Sequence, residues 1–252
     1  MPKFDQFETQ SQILTAGGSN IQFSAVRPEK LKSNEQTLVS VVIDETGSVG
    51  PFAADLLNML QTVIESCQSS PHVDSLVVRV LAFNSSYGVR EIHGFRQLHD
   101  VSTSDYKPFR PNASTPLFDA TVNAVAATVA YGEQLQQQGL VVNALVVVIT
   151  DGEDNASSSD ARDVALEVQA ARKKEKLDSI LTLLIGINAQ EKRIHDMLMM
   201  FQEKAKIDAY IDAGDATPHR LAQLAKFISD SVTQQSTVLG SGQASTVLPF
   251  NH

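Results

Sequence analysis

Leu38-Val-Ser-Val-Val-Ile-Asp-Glu-Thr-Gly-Ser-Val-Gly-Pro51 is the stretch that decides the fold. Its first half, Leu38 to Ile43, is almost continuously apolar and β-branched, the pattern of a strand covered on both faces in a parallel sheet. Asp44 then stands at the C-terminal end of that strand. In open α/β sheets ligands bind at this end, most often where the strand order reverses. Along the following turn Asp44, Thr46 and Ser48 alternate, so three oxygen groups can converge on one point, while Gly47 and Gly50 let the backbone turn sharply. Ligands that are all oxygen imply a hard cation.

Outward from that turn, Pro51 occupies the preferred first position of a helix in which Phe52, Ala53, Leu56, Leu57, Leu60, Val63, Ile64 and Cys67 recur at helical spacing. Ser75 to Phe83 reads as a second strand. Gly88 to Phe95 pairs with it as a hairpin after the Asn84–Gly88 turn, which gives one antiparallel edge. Arg96 to Ser114 has no period and carries Pro108 and Pro111, so it is a long loop of the kind kept for function. Thr115 to Gln138 is a helix ended by Gly139, and Val141 to Ile149 is a second buried strand running into Thr150-Asp151-Gly152. A helix capped by Asp160, with Val164, Ala165, Val168 and Ala171 inward, precedes a strand over Leu177–Ile187. A helix about Ile194, Met197, Leu198 and Phe201, a short strand over Asp208–Ile211, and a last helix with Leu221, Leu224, Ala225, Ile228 and Val232 complete the alternation. The cluster of Met197, Met199 and Met200 reads as core packing.

This βα order predicts an α/β fold, doubly wound and mostly parallel, with helices on both faces. Residues 1–36 read as an N-terminal extension with a short edge strand at Ile21–Val26, and residues 37–233 as the main domain. Residues 234–252, rich in Ser, Thr, Gly and Gln, read as a flexible tail. Ser236-Thr237-Val238-Leu239 recurs as Ser245-Thr246-Val247-Leu248, either by chance or as docking segments that add a strand to a partner's sheet.

Asp44-Glu45-Thr46-Gly47-Ser48 resembles the Asp-x-Ser-x-Ser signature of the von Willebrand factor A (VWA) domains, with Thr46 keeping the hydroxyl of the first Ser. In that family a Thr on a later loop and an Asp at the end of the fourth parallel strand complete a metal-ion-dependent adhesion site. Here Ala113-Ser114-Thr115-Pro116-Leu117 and the strand closing on Thr150-Asp151-Gly152 match in order and spacing. The resemblance covers essentially Leu38 to Val232. It implies a six-stranded sheet in which the strands ending at Asp44 and Asp151 are neighbours across the switch point. It also implies a cation contacted by the hydroxyls of Thr46, Ser48 and Thr115, with Asp44 and Asp151 binding directly or through water. Mg2+ suits such a set best and Mn2+ or Ca2+ can replace it. The family context before Thr115 is often Gly-rich, whereas Asn112-Ala113-Ser114 stands here. Neutral hydroxyls leave a dication partly uncompensated, so an Asp or Glu from a protein partner is the natural sixth ligand. Glu153 and Asp154 lie close by and read as solvated loop carboxylates, with a second cation or a gate as the alternative. Intracellular members of the family commonly act as adaptor subunits of larger assemblies, often beside ATPases, and the chain resembles that group.

Length and composition set the remaining bounds. At 252 residues, 42% hydrophobic and 19% charged, the chain suits one large soluble domain, and no stretch approaches the apolar length of a membrane span. Its first residues lack a basic segment followed by an apolar one, so export by a secretory signal is not expected. A single cysteine, Cys67, excludes an internal disulfide and reads as a buried inert thiol, which makes the cytoplasm the default compartment. A net charge of −9 and a pI near 5.1 argue against a general nucleic-acid or anionic-membrane binder. Arg172-Lys173-Lys174-Glu175-Lys176 reads as the solvated end of a helix, and His99-Asp100 as a surface pair. Among enzymes, a phosphohydrolase of the haloacid-dehalogenase type also begins with an Asp at a strand end, but it needs a second Asp where Thr46 stands. Neither a phosphate-binding Gly-x-x-x-x-Gly-Lys loop nor a Gly-x-Ser-x-Gly elbow is present. The remaining alternative is a VWA scaffold whose metal site is unused.

Overall fold

The computed structural model describes residues 9–173, 177–189, 191–239, 241 and 245–250. The chain opens with β1 (Thr9–Ala16) and β2 (Ser19–Val26), followed by β3 (Glu35–Asp44), α1 (Ala53–Gln68), β4 (Leu76–Asn84) and β5 (Gly88–Gln97). Then come α2 (Leu117–Gln137), β6 (Val141–Thr150), α3 (Ala161–Lys173), β7 (Ser179–Gly186), α4 (Lys192–Ala205), β8 (Ala209–Asp212) and α5 (Pro218–Val238). The strands lie in the order β1-β2-β5-β4-β3-β6-β7-β8. The last six in that order form the doubly wound sheet expected from the sequence, parallel throughout except for β5, which runs antiparallel to β4. The fold is α/β and Rossmann-like, with a switch point between β3 and β6. Pairing of Ile43 with Ile149 brings the two strand ends level there.

Apolar side chains on the two sheet faces feed two cores. One is covered by α2, α3 and α4, the other by α1, α5 and the segment carrying Leu98, Val101, Tyr106 and Phe109. Strands buried on both sides explain why β3, β4 and β6 read as continuous apolar runs. Among the described residues no helix is long and apolar enough to cross a membrane.

The structure departs from the sequence reading in four places. First, a hairpin, β1-β2, extends the sheet by two strands, and β1 carries too little apolar alternation to be read as a strand. Gly17 and Gly18, at φ 54° and 73°, supply the left-handed pair that a tight two-residue hairpin turn needs. Second, Pro51 lies inside the 3-10 segment Gly47–Phe52, and α1 begins two residues later at Ala53. Third, Met197, Met199 and Met200 are 39%, 49% and 38% exposed, because α4 turns Leu198, Phe201 and Ala205 inward instead. Fourth, α5 runs on to Val238 where the tail was expected. Gln235 is buried and its amide donates to the carbonyl of Ala144 at 3.1 Å, giving a polar residue a core partner that periodicity cannot show. Further on, Val247, Leu248 and Phe250 pack against the α1/α5 core instead of standing free. Residues 240, 242–244 and 251–252 of the expected tail, and Met1 to Glu8 of the expected extension, lie outside the described residues.

Candidate metal centre

Asp44 ends β3 and is 1% exposed. Its Oδ1 accepts from the backbone N–H of Thr46 at 2.8 Å, the local turn that Asp side chains favour at the end of a strand. Its Oδ2 accepts from the hydroxyl of Thr150, which ends the neighbouring β6, at 2.6 Å. The hydroxyls of Thr46 and Ser48 lie 3.2 Å apart, and Ser48 Oγ donates to Asp151 Oδ1 at 2.8 Å. The structure thus brings Asp44, Thr46, Ser48 and Asp151 into one connected group across the switch point.

Thr115 lies on a loop packed against the group, but among the described residues no hydrogen bond joins its hydroxyl to the other four. It is 5% exposed, and its N–H donates to Asn155 Oδ1 at 2.7 Å while its carbonyl accepts from the N–H of Asn155 at 3.0 Å. Just before it, the carbonyl of Ala113 accepts from the N–H of Gly47 at 3.2 Å, so the loop lies against the turn carrying Thr46 and Ser48. Ala113 adopts φ 62°, a left-handed conformation in which glycine is at ease and alanine is strained. The departure from a Gly-rich context is therefore absorbed as backbone strain, with Asn112 Oδ1 accepting from the N–H of Ala113 at 2.8 Å.

Glu45, inside the motif, points away from the group. It is 1% exposed and takes Arg90 Nη2 at 2.8 Å, the hydroxyl of Tyr87 and the backbone N–H of Arg110. Burial pushes its carboxyl up, but the bonds from Arg110, Tyr87 and Arg90 outweigh that and hold it below the ordinary value. Glu45 therefore clamps the loop that delivers Thr115. Glu153 pairs with Arg193 of α4. Asp154 accepts from the N–H of Phe118 at 3.0 Å and from Ser157, so it caps α2. Both carboxylates are engaged by protein groups rather than merely solvated.

Burial, opposed by the bonds from Thr150 and Thr46 and joined by the negative charge of Asp151, pushes the Asp44 carboxyl up to about 6. Asp151 is raised as well, chiefly by burial. Among the described residues no Lys, Arg or His forms an ion pair with either carboxylate. Two buried carboxylates and the hydroxyls of Thr46 and Ser48, with no basic partner, form an oxygen-only, undercompensated donor set, which fits a hard divalent cation. No group of three or more His, Cys, Asp or Glu side chains that could hold a metal occurs among the described residues, so this centre rests on hydroxyls beside only two carboxylates.

The sequence reading missed Thr150, Asn155 and Glu45. Thr150 was legible in principle, since aligning the two buried strands puts it level with Asp44. Glu45 and Asn155 act through loops whose course no periodicity encodes. Cys67 is buried and its thiol is pushed up to about 11 by burial, which leaves it unreactive.

No protein-family model and no curated protein matches the chain by sequence. Solved structures do match by shape. The PilB minor pilin of Streptococcus sanguinis, solved as its D319A mutant, superposes with a TM-score of 0.54 at 14% identity over 85% of this chain and 65% of that one. The pilus adhesin SpaC of Lactobacillus rhamnosus GG gives 0.54 at 10% identity over 92% and 35%. Proximal thread matrix protein 1 of the mussel byssus gives 0.52 at 18% identity over 77% and 47%. The chain spans less than two thirds of the length of each. At these identities the likeness is one of fold, and that fold is the VWA-like one.

Proposed function

We propose that the chain is a metal-dependent protein-interaction module that holds a divalent cation and captures a partner's Asp or Glu through it. The observation that carries this reading is the convergence of Asp44 and Asp151 with the hydroxyls of Thr46 and Ser48 where no basic group balances them. Asp44, Thr46, Ser48, Thr115 and Asp151 would hold the cation, with Mg2+ favoured by the hard oxygen set and Mn2+ or Ca2+ as substitutes. A bound dication supplies an electrophilic position for a carboxylate. The protein's own groups orient it. Thr150 and the N–H of Thr46 fix the Asp44 carboxylate, and Ser48 and Thr46 can rotate their hydroxyls so that lone pairs face the ion.

No enzymatic activity is part of this reading, because Thr46 stands where a phosphohydrolase would need its acid/base carboxylate. The solved structures of similar fold include an adhesin, a minor pilin and a matrix protein by name. Within the reading, the acidic chain is an adaptor subunit of a cytoplasmic assembly, one that includes an ATPase, and its lone buried thiol suits a reducing compartment.

Calorimetry with Mg2+ and with Mn2+ tests the site. One cation per chain should bind, and at a hundredfold excess over the dissociation constant it should stabilise the fold by about 2.7 kcal/mol. Thr115→Ala removes a neutral oxygen and should weaken the cation at least about tenfold, the scale on which even outer-shell partners act, with the fold intact. Asp44→Ala should abolish binding. Absence of heat together with an unchanged melting curve would sink the reading.

A further inference from the structure

Beside the candidate metal centre lies a cavity of about 460 Å³, formed between β5 and the segment 105–110 of the loop that delivers Thr115. Its apolar wall is Ile92, Pro108 and Phe109, with Tyr87 at 40% exposure on the rim. Arg90, Lys107 and Arg110 bring three cations to it. Such a concentration is unusual in a chain whose net charge is −9.

The charges are unevenly satisfied. Arg90 is stacked over the Tyr87 ring at 5.2 Å and is paired with the buried Glu45. Asp105 also lines the cavity, and its charge acts on Arg96. With Arg90, Lys107 and Arg110 against Glu45 and Asp105 the lining carries one net positive charge, and among the described residues neither Lys107 nor Arg110 forms an ion pair. Lys107 Nζ makes only a 3.3 Å bond to the carbonyl of Ser104, and the exposed Arg110 guanidinium makes no bond among the described residues. The backbone of Arg110 is nevertheless fixed, because its N–H donates to Glu45. One side chain, Glu45, therefore anchors both the cation-lined cavity and the turn that carries Thr46 and Ser48.

We propose that this cavity is an anion-accepting subsite for an acidic peptide segment. It would take a carboxylate that lies along the same partner chain as the one held at the metal, and in that respect it rests on the metal-capture reading. Lys107 and Arg110 supply the charge, Arg90 offers its remaining N–H donors, and the apolar wall covers the peptide's methylenes. A short acidic segment fits better than a nucleic acid, since Ile92, Pro108 and Phe109 give its methylenes an apolar wall that a sugar-phosphate backbone would not use.

The test uses a fluorescein-labelled octaglutamate peptide, with octaglutamine as the uncharged control, and follows anisotropy in Mg2+ and again with a chelator. The full chain is compared with the double variant Lys107→Ala/Arg110→Ala, which touches neither the metal site nor the Arg90–Glu45 pair. Wild type should bind octaglutamate in both conditions, more tightly in Mg2+, and should ignore octaglutamine. The double variant should lose the chelator-resistant binding and about tenfold of the affinity in Mg2+. If Mg2+ has no effect but the double variant loses binding, the subsite stands and the metal reading fails. If binding requires Mg2+ and is equal in wild type and variant, the subsite is overturned and the metal reading stands. Failure of wild type to bind octaglutamate at all, or tighter binding of a single-stranded oligonucleotide that the variant loses, also overturns the acidic-peptide assignment.

Discussion

His93 on β5 is 5% exposed and donates no charge to the core. Its Nδ1 faces the carbonyl of Gly94 at 2.9 Å, which can only accept, so Nδ1 carries the proton and Nε2 accepts from the hydroxyl of Tyr106 at 2.9 Å. Burial depresses its pKa to about 4, with the nearby cations Arg96 and Arg79 adding to the effect and the Gly94 carbonyl and Asp105 opposing it. In the unfolded chain an ordinary histidine titrates near 6.5, so between the two values the unfolded state binds more protons. The stability contributed by neutral His93 is therefore whole above about pH 6.5 and is lost as pH falls toward 4, by about 3 kcal/mol at most. Urea unfolding from pH 7 to pH 4 should show that decline, and His93→Asn should flatten it. Ala113 offers a second test at this scale. Relief of a left-handed alanine is worth about 1–2 kcal/mol, against about 0.5–1 kcal/mol of extra unfolded-state freedom, so Ala113→Gly should stabilise the fold by up to about 1.5 kcal/mol in the same assay.

Elements were legible where burial imposes a period and illegible where it does not. The runs Leu38–Ile43 and Val141–Ile149 announce doubly covered strands, and the turn after each announces the carboxylates that meet at the switch point. The edge strand at Ile21–Val26 was legible, but its hairpin partner β1 was not, nor was the polar chemistry that fastens the hairpin to the sheet. Glu91 of β5 accepts from both the N–H and the hydroxyl of Ser24 on β2, and from Nε of the wholly buried Arg79 on β4 at 2.7 Å. Arg79 lies against the rings of Phe23 and Phe95, at 5.8 and 5.6 Å to their centroids, and donates to Asn123 of α2 at 3.0 Å. An arginine in an apolar run reads as an interruption, yet here it is the bolt between sheet and hairpin. Close approach of the two strands depends on Gly94, where a Cβ would stand 2.1 Å from the carbonyl oxygen of Ser24. Gly94→Ala must push the hairpin away, at a cost of about 1–3 kcal/mol as for other overpacked sites. Hydrogen exchange should then show β1 and β2 losing protection while β3, β6 and β7 keep theirs.

At the scale of the whole molecule the two edges of the sheet have separate tasks. The C-terminal edge carries Asp44, Thr150 and Asp151, whereas the N-terminal edge is where the end of the chain is fastened. Ser236 of α5 donates to Thr37 near the start of β3 at 3.1 Å, and the hydroxyl of Ser245 lies 2.7 Å from that of Ser179, the first residue of β7. Gln234 donates to Thr246 at 2.8 Å, and Phe250 meets Phe227 edge-on with centroids 5.3 Å apart. The second Ser-Thr-Val-Leu segment is thus bound to its own domain, which bears on its reading as a segment that docks on a partner. A chain ending at Leu239 uncovers the apolar surface shared with Val247, Leu248 and Phe250. At about 1 kcal/mol for each of these half-covered side chains, the loss is about 3 kcal/mol, or about 6–12 °C in melting temperature for a chain of this size. Cation binding should be unchanged, because the deleted contacts lie at the opposite edge from the carboxylates. Calorimetric melting of the shortened chain, paired with a Mg2+ titration, checks both halves. An unaltered melting temperature would show the segment to be free for a partner, and a weakened cation would show that the two edges are coupled.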